Sequence, residues 1–149
     1  MKAAAKSAEA YFRAAAAALA MRSDSSGPDM SAALLKRHYG VTGSIATLSS
    51  EVERTVEVGI PDSGRCILKT STRPEAVDSF RFQTSALAGL QGAEGFVAPT
   101  VLRTRSGELM FGEEQTCGYL QTRMEGIPLH QVVPTTEQLF RTGRALAQL

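Results

Sequence analysis

Lys69 closes an apolar run, Cys66-Ile67-Leu68-Lys69, that begins just after the turn Pro61-Asp62-Ser63-Gly64. Side chains alternate along a strand, so Ile67 and Lys69 share one face. An ammonium on a half-buried strand suits a phosphate; the alternative is a solvated charge at a strand end. Gln83 is the second residue that could serve such a site. It interrupts the stripe Val77, Phe80, Gln83, Leu87, Leu90, whose helical spacing keeps all five on one side. A polar side chain there needs a partner, and its amide oxygen can accept from the Lys69 ammonium. Solvation at the edge of the stripe is the other outcome.

Other chemistries lack their residues. There is no Gly-x-x-x-x-Gly-Lys-Ser/Thr loop, Gly-x-Ser-x-Gly elbow or His-Glu-x-x-His pair, and no basic stripe interleaved with aromatics. Cys66 and Cys117 have no second cysteine or histidine at ligand spacing, so neither zinc nor a disulfide framework is expected. Both fall in or beside predicted strands, as buried free thiols of a reduced, cytoplasmic protein. Sixteen basic and fifteen acidic residues leave a charge of +1, so no broad field draws nucleic acid or anionic lipid. No run of eighteen apolar residues offers a membrane span. Any anion must be held by local geometry.

The elements that would position Lys69 and Gln83 are legible from periodicity. The 149 residues, 43% hydrophobic, suit one globular domain with an ordinary core. Residues 1–28 read as an alanine-rich, acid-poor leader helix and a flexible linker, either loosely docked or an organelle-targeting segment. Asp29 or Ser31 can cap a helix to Tyr39 that carries Leu34, Leu35 and His38 and stops at Gly40. Strands are predicted at 45–49, 55–60 and 65–70, the last two joined by the Pro61–Gly64 turn. A long helix follows from after Pro74 to about Leu90. Strands at 97–104, irregular because of Pro99, and 108–111 flank the turn Arg105-Ser106-Gly107. A last strand, 119–124, precedes a helix capped by Thr135 and Gln138, with Leu139, Gly143 and Leu146 on one side. The fold class is α+β: an antiparallel sheet of about five strands with one long packed helix, flanked by helices at both ends.

Four runs in this order resemble the aminoglycoside phosphotransferase family of kinase-like proteins, most closely its hydroxylysine-kinase-like branch, which also occurs fused to class III aminotransferases. The resemblance covers about 32–149. Leu35-Lys36-Arg37-His38-Tyr39-Gly40-Val41-Thr42-Gly43 is similar to the family's first helix and turn. Ser50-Glu51-Val52-Glu53-Arg54-Thr55 is similar to the acidic loop over the nucleotide phosphates. Ile67-Leu68-Lys69, with Val77-Asp78 and 82–90, resembles the nucleotide-lysine strand and its helix. Tyr119 to Met124, then Gly126-Ile127-Pro128-Leu129, resembles the hinge strand and the exit to a larger lobe. Glu125 departs from the proline often found at that exit. Gln83 stands where many kinase-like proteins carry glutamate, but glutamine is common in the hydroxylysine-kinase-like branch.

The resemblance implies the smaller, nucleotide-binding lobe of an ATP- or GTP-dependent kinase, spanning 29–149. Lys69 would donate to phosphate oxygens, with Gln83 orienting it and Ile67 against the base. Amides of Ser50, Glu51, Val52 and Glu53 would lie over the phosphates, and backbone groups of Thr122, Arg123 and Met124 would read the base. The acceptor would be a hydroxyl of an amino-acid-like or amino-sugar substrate, bound mostly by a second lobe. The family's His-Gly-Asp loop and its Mg²⁺-binding aspartate have no counterpart here, since His38 and His130 are followed by Tyr39 and Gln131. The expectation is therefore a truncated chain without activity by itself. The alternative is a non-catalytic module that pairs with another chain.

Overall fold

The computed structural model describes residues 28–147 except 49, 51, 52, 62, 63, 95, 96, 114 and 128–130. The expected leader helix, the middle of the Pro61–Gly64 turn and the Pro128-Leu129 exit lie outside the described residues.

Helix α1 spans Pro28–Tyr39, with proline in its first turn, where its missing N–H costs nothing. Asp29 lies in the first turn and Lys36, Arg37 and His38 in the last, complementing the helix dipole at both ends. Gly40 ends it at φ 71°, and its N–H donates to the Lys36 carbonyl at 3.1 Å. This left-handed position favours glycine.

Strands β1 (Ser44–Thr47), β2 (Arg54–Ile60) and β3 (Gly64–Ser71) form an antiparallel meander. Helix α2 (Ala76–Gly89) follows, then β4 (Val101–Leu102), β5 (Phe111–Gly112), β6 (Cys117–Thr122) and α3 (Thr136–Leu146). The sheet order is β1-β2-β3-β6-β4, with β5 also paired to β6, and every pairing is antiparallel.

Alternation splits the core between the two sheet faces. One face packs Val56, Val58, Cys66, Leu68, Phe111 and Leu120 against Leu34 and Leu35 of α1. The other packs Val101, Cys117 and Tyr119 against Ala76 and Phe80 of α2. Both cysteines are free and buried. Burial raises both thiol pKa values, and at Cys117 the Glu53 carboxylate adds to the effect. His38 stacks on Phe111 at 4.2 Å, and its Nε2 lies 2.8 Å from Glu113, which also accepts from Arg37 at 2.6 Å. The Arg37 guanidinium, then His38, hold the Glu113 carboxyl below its ordinary pKa. This clamp ties α1 to the turn between β5 and β6.

Three expectations need correction. The strand expected over 97–104 is only Val101–Leu102, because Pro99 has no N–H to donate and the Thr100 N–H turns to the Thr122 hydroxyl at 2.9 Å. The expected hairpin over 97–111 keeps its turn, closed by Thr104 N–H to the Glu108 carbonyl at 2.9 Å. Its arms do not pair with each other: β4 and β5 both join β6, at Leu120–Gln121 and at Cys117–Gly118. The buried stripe of α2 is rotated from the expected one. Ala76, Phe80 and Thr84 are buried, while Val77, Gln83 and Leu87 flank them half-buried. Thr84 fits an apolar stripe because its hydroxyl donates to the Phe80 carbonyl at 2.8 Å.

Helix α3 begins with the expected capping box. The Thr135 side chain accepts from the Gln138 N–H, and the Gln138 side chain accepts from the Thr135 N–H. No residue of α3 is buried, and Leu139, Phe140 and Leu146 are exposed.

Candidate functional site

The register of three strands lays out one side-chain platform. Thr55, Lys69 and Tyr119 stand opposite one another across β2, β3 and β6, and Glu57, Ile67 and Gln121 form the adjacent row. These residues alternate with Val56, Leu68 and Leu120 of the α1-side core, so they occupy the α2 side. Gly118 permits the close approach of β6 to β3 beside Lys69. A Cβ there would meet the Lys69 carbonyl oxygen at 2.5 Å and Phe111 Cζ at 2.7 Å.

Lys69 is half-buried, with its side chain 28% exposed. Its Nζ lies 3.6 Å from Glu53 Oε2 and 5.9 Å from the Tyr119 ring centroid. The Glu53 distance is a charge contact beyond hydrogen-bond reach. Among the described residues the ammonium has no hydrogen-bond acceptor. Its N–H groups are free for an incoming oxygen.

The expected direct bond between Gln83 and Lys69 is not formed. The Gln83 carbonyl accepts from the Tyr119 hydroxyl at 2.8 Å, and its amide donates to Ser79 Oγ at 3.0 Å. Tyr119 is buried edge-on against Phe80, ring centroids 5.3 Å apart. Gln83 therefore anchors the ring beneath the ammonium, and its link to Lys69 runs through Tyr119. Rotation of the α2 stripe, which turns Thr84 inward and leaves Gln83 at the edge, accounts for the difference. Burial, aided by the Glu53 carboxylate, pushes the Tyr119 phenol up to about 12.

Ile67 lies two residues before Lys69 on the same face and is buried. Beyond it the platform is ionic: Glu57 Oε2 meets Arg123 Nε at 2.8 Å, and Glu57 Oε1 meets Arg65 Nη1 at 3.4 Å. Of the three expected base-reading residues, two have spent their N–H groups in the sheet. The Thr122 N–H donates to the Thr100 carbonyl and the Arg123 N–H to the Arg65 carbonyl, both at 2.9 Å. Met124, the third, is exposed just past the end of β6. Ser50 is exposed and lies near the start of β2, while Glu51 and Val52 lie outside the described residues.

Sequence reasoning did not find Tyr119 as the residue under the lysine, the Glu53 side chain as its counter-ion, or the Glu57–Arg65–Arg123 cluster. The two-residue alternation of β6 holds a signal for Tyr119, but only once β6 is set beside β3. A cavity of about 250 Å³ lies past the far end of β3, lined by Ser71, Arg73, Val77, Glu113, Thr116 and Cys117 among others. Arg73 is paired with Glu75, and Glu113 with Arg37 and His38. Arg73, the cation lining the cavity, is hydrogen-bonded to Glu75, whereas the Lys69 ammonium has no hydrogen-bond acceptor among the described residues, so the platform is the better anion site.

No family model matches the sequence. A curated relative, hydroxylysine kinase of Danio rerio, is 29% identical over 127 residues, covering 78% of this chain and 36% of the relative. A crystal structure of spectinomycin phosphotransferase APH(9)-Ia, in complex with ADP and spectinomycin, superposes with a TM-score of 0.63 at 15% identity. That match covers 84% of this chain and 38% of the other. The chain thus spans little more than a third of the length of these proteins. The structural likeness establishes the fold: an antiparallel sheet with its packed helices, fitting the N-terminal lobe of a kinase-like phosphotransferase.

Proposed function

We propose, on the support that both likenesses give to membership of the kinase-like aminoglycoside phosphotransferase family, that this chain is the nucleotide-binding lobe of a cytoplasmic small-molecule kinase. The single observation that carries the proposal is Lys69: a half-buried ammonium beside the Tyr119 ring, with no hydrogen-bond acceptor among the described residues, on the same sheet face as Ile67. Phosphoryl transfer depends on positioning and charge neutralisation more than on covalent help. In this reading Lys69 takes a phosphate oxygen of ATP or GTP, Ile67 lies against the base, and the carbonyls of Thr122 and Arg123 with Met124 read its edge. The 50–53 loop lies over the phosphates, and Gln83 holds Lys69 in place through Tyr119.

The transferred group goes to a hydroxyl of an amino-acid-like or amino-sugar substrate. The relative's name, hydroxylysine kinase, favours the former, and the spectinomycin bound to the structural neighbour the latter. Among the described residues no group of three His, Cys, Asp or Glu side chains could hold a metal ion. Because this chain spans little more than a third of the length of the proteins it resembles, we assign the catalytic aspartate, the Mg²⁺ ligands and most of the acceptor pocket to a further lobe. A second reading, a non-catalytic module that pairs with another chain, is favoured by the exposed Leu139, Phe140 and Leu146 of α3.

The test is nucleotide binding by the 149-residue chain. ADP and ATP should raise its melting temperature, and Lys69→Ala should abolish the shift while leaving the unliganded melting temperature within a few degrees. A shift that survives Lys69→Ala would overturn the assignment.

A further inference from the structure

We propose that the Glu53 carboxylate is a resident counter-ion of Lys69, and that an entering nucleotide phosphate displaces it. The inference rests on the nucleotide reading above and adds a determinant of how tightly that site binds.

Glu53 immediately precedes β2, two residues before Thr55, the residue that stands opposite Lys69. Alternation therefore puts its side chain on the platform face. The side chain is 19% exposed, and its Oε2 lies 3.6 Å from the Lys69 ammonium. Burial is the main cause of the raised pKa of Tyr119 and Cys117, and the Glu53 charge adds to both, as its place on the same platform face requires. A structural partner for the lysine would ordinarily sit at hydrogen-bond distance; this one balances charge and leaves the N–H groups open.

Among the described residues, no other carboxylate is ion-paired with Lys69. Helix α2 presents Gln83, which is committed to Tyr119 and Ser79. The one acidic residue of α2, Asp78, is exposed and bound to Arg81 at 2.9 Å. Charge balance thus comes from a residue at a loop end, where a side chain can swing away without unwinding a helix. A phosphate oxygen that reaches Lys69 also comes within a few ångströms of Glu53, and two anions that close repel. Binding must therefore exchange one anion for the other.

The experiment measures ADP affinity by calorimetry in a chelator, with no divalent metal present, for the 149-residue chain and its Glu53→Gln variant. Glutamine keeps the shape and removes the charge. Affinity should rise about fivefold, the size of a surface ion pair lost as a competitor. Glu53→Asp keeps the charge on a shorter arm and should fall between the two. Equal or weaker binding by Glu53→Gln, with the parent chain binding normally, overturns the exchange and leaves the nucleotide reading standing. Failure of both proteins to bind overturns the nucleotide reading and this inference with it.

Discussion

Replacing Tyr119 by phenylalanine isolates the link between Gln83 and Lys69. The ring stays, with its edge contact to Phe80 at 5.3 Å and its place 5.9 Å from the Lys69 ammonium, so packing is preserved. What disappears is the 2.8 Å bond from the hydroxyl to the Gln83 carbonyl. A neutral hydrogen bond contributes about 1 kcal/mol net, and water can reach the half-exposed Gln83 amide, which keeps the loss at or below that figure. For a domain of this size the melting temperature should fall by roughly 3 °C. Gln83→Ala should cost a similar amount. Because both changes remove the same bond, the double variant should be no less stable than the weaker single variant, to within about 0.5 kcal/mol. Urea unfolding of the four proteins measures this cycle directly. Additive losses would refute a path through Tyr119, and Gln83 would then have to act independently of the phenol.

Gly118→Ala should destabilise the chain by about 1–3 kcal/mol, because its Cβ would meet the Lys69 carbonyl oxygen at 2.5 Å and strand backbone cannot swing aside; urea unfolding at neutral pH reads the loss, and an unchanged midpoint would contradict the strand spacing. The alkaline limb of stability should be steep. Tyr39 and Tyr119 are both raised from 10.0 to about 12, chiefly by burial, so the folded state holds their protons more tightly than the unfolded chain does. Their contribution is complete below pH 10 and is lost as the pH rises towards 12. Unfolding free energies measured from pH 8 to 11 should fall less steeply above pH 10 in the Tyr39→Phe, Tyr119→Phe double variant, and identical slopes would exclude this origin.

Features set by near neighbours in the chain were legible before the structure. The β2–β3 pairing follows from alternating Val56, Val58 and Ile60 and the proline–glycine turn. The start of α3 follows from Thr135 and Gln138, and the end of α1 from Gly40. Features set by pairing between distant segments were not. Two-residue bridges such as β4 and β5 are too short to show a period, so nothing local says that both dock on β6. The partner of Gln83 depends on which residue of β6 falls opposite Lys69, and a one-residue slip would replace Tyr119 with Gly118 or Leu120. The rotation of α2 was hidden because Thr84 reads as polar, although it satisfies its own hydroxyl on the helix backbone. Lys69 and Ile67 share a face as their spacing requires. The charges around them, Glu53 at one end and Glu57 with its two arginines at the other, come from strands whose alignment only the fold reveals.

The division of β2 and β3 into two sets of side chains separates what the protein can change from what it must keep. Even-numbered positions, Val56, Val58, Cys66 and Leu68, are sealed against α1, whereas odd-numbered Thr55, Glu57, Ile67 and Lys69 face the opposite side. Substitutions confined to the odd set could retune ligand preference while the even set goes on holding the sheet to its helix. On the proposed nucleotide reading, such a scaffold can change what it binds by exchanging alternate residues of the same two strands.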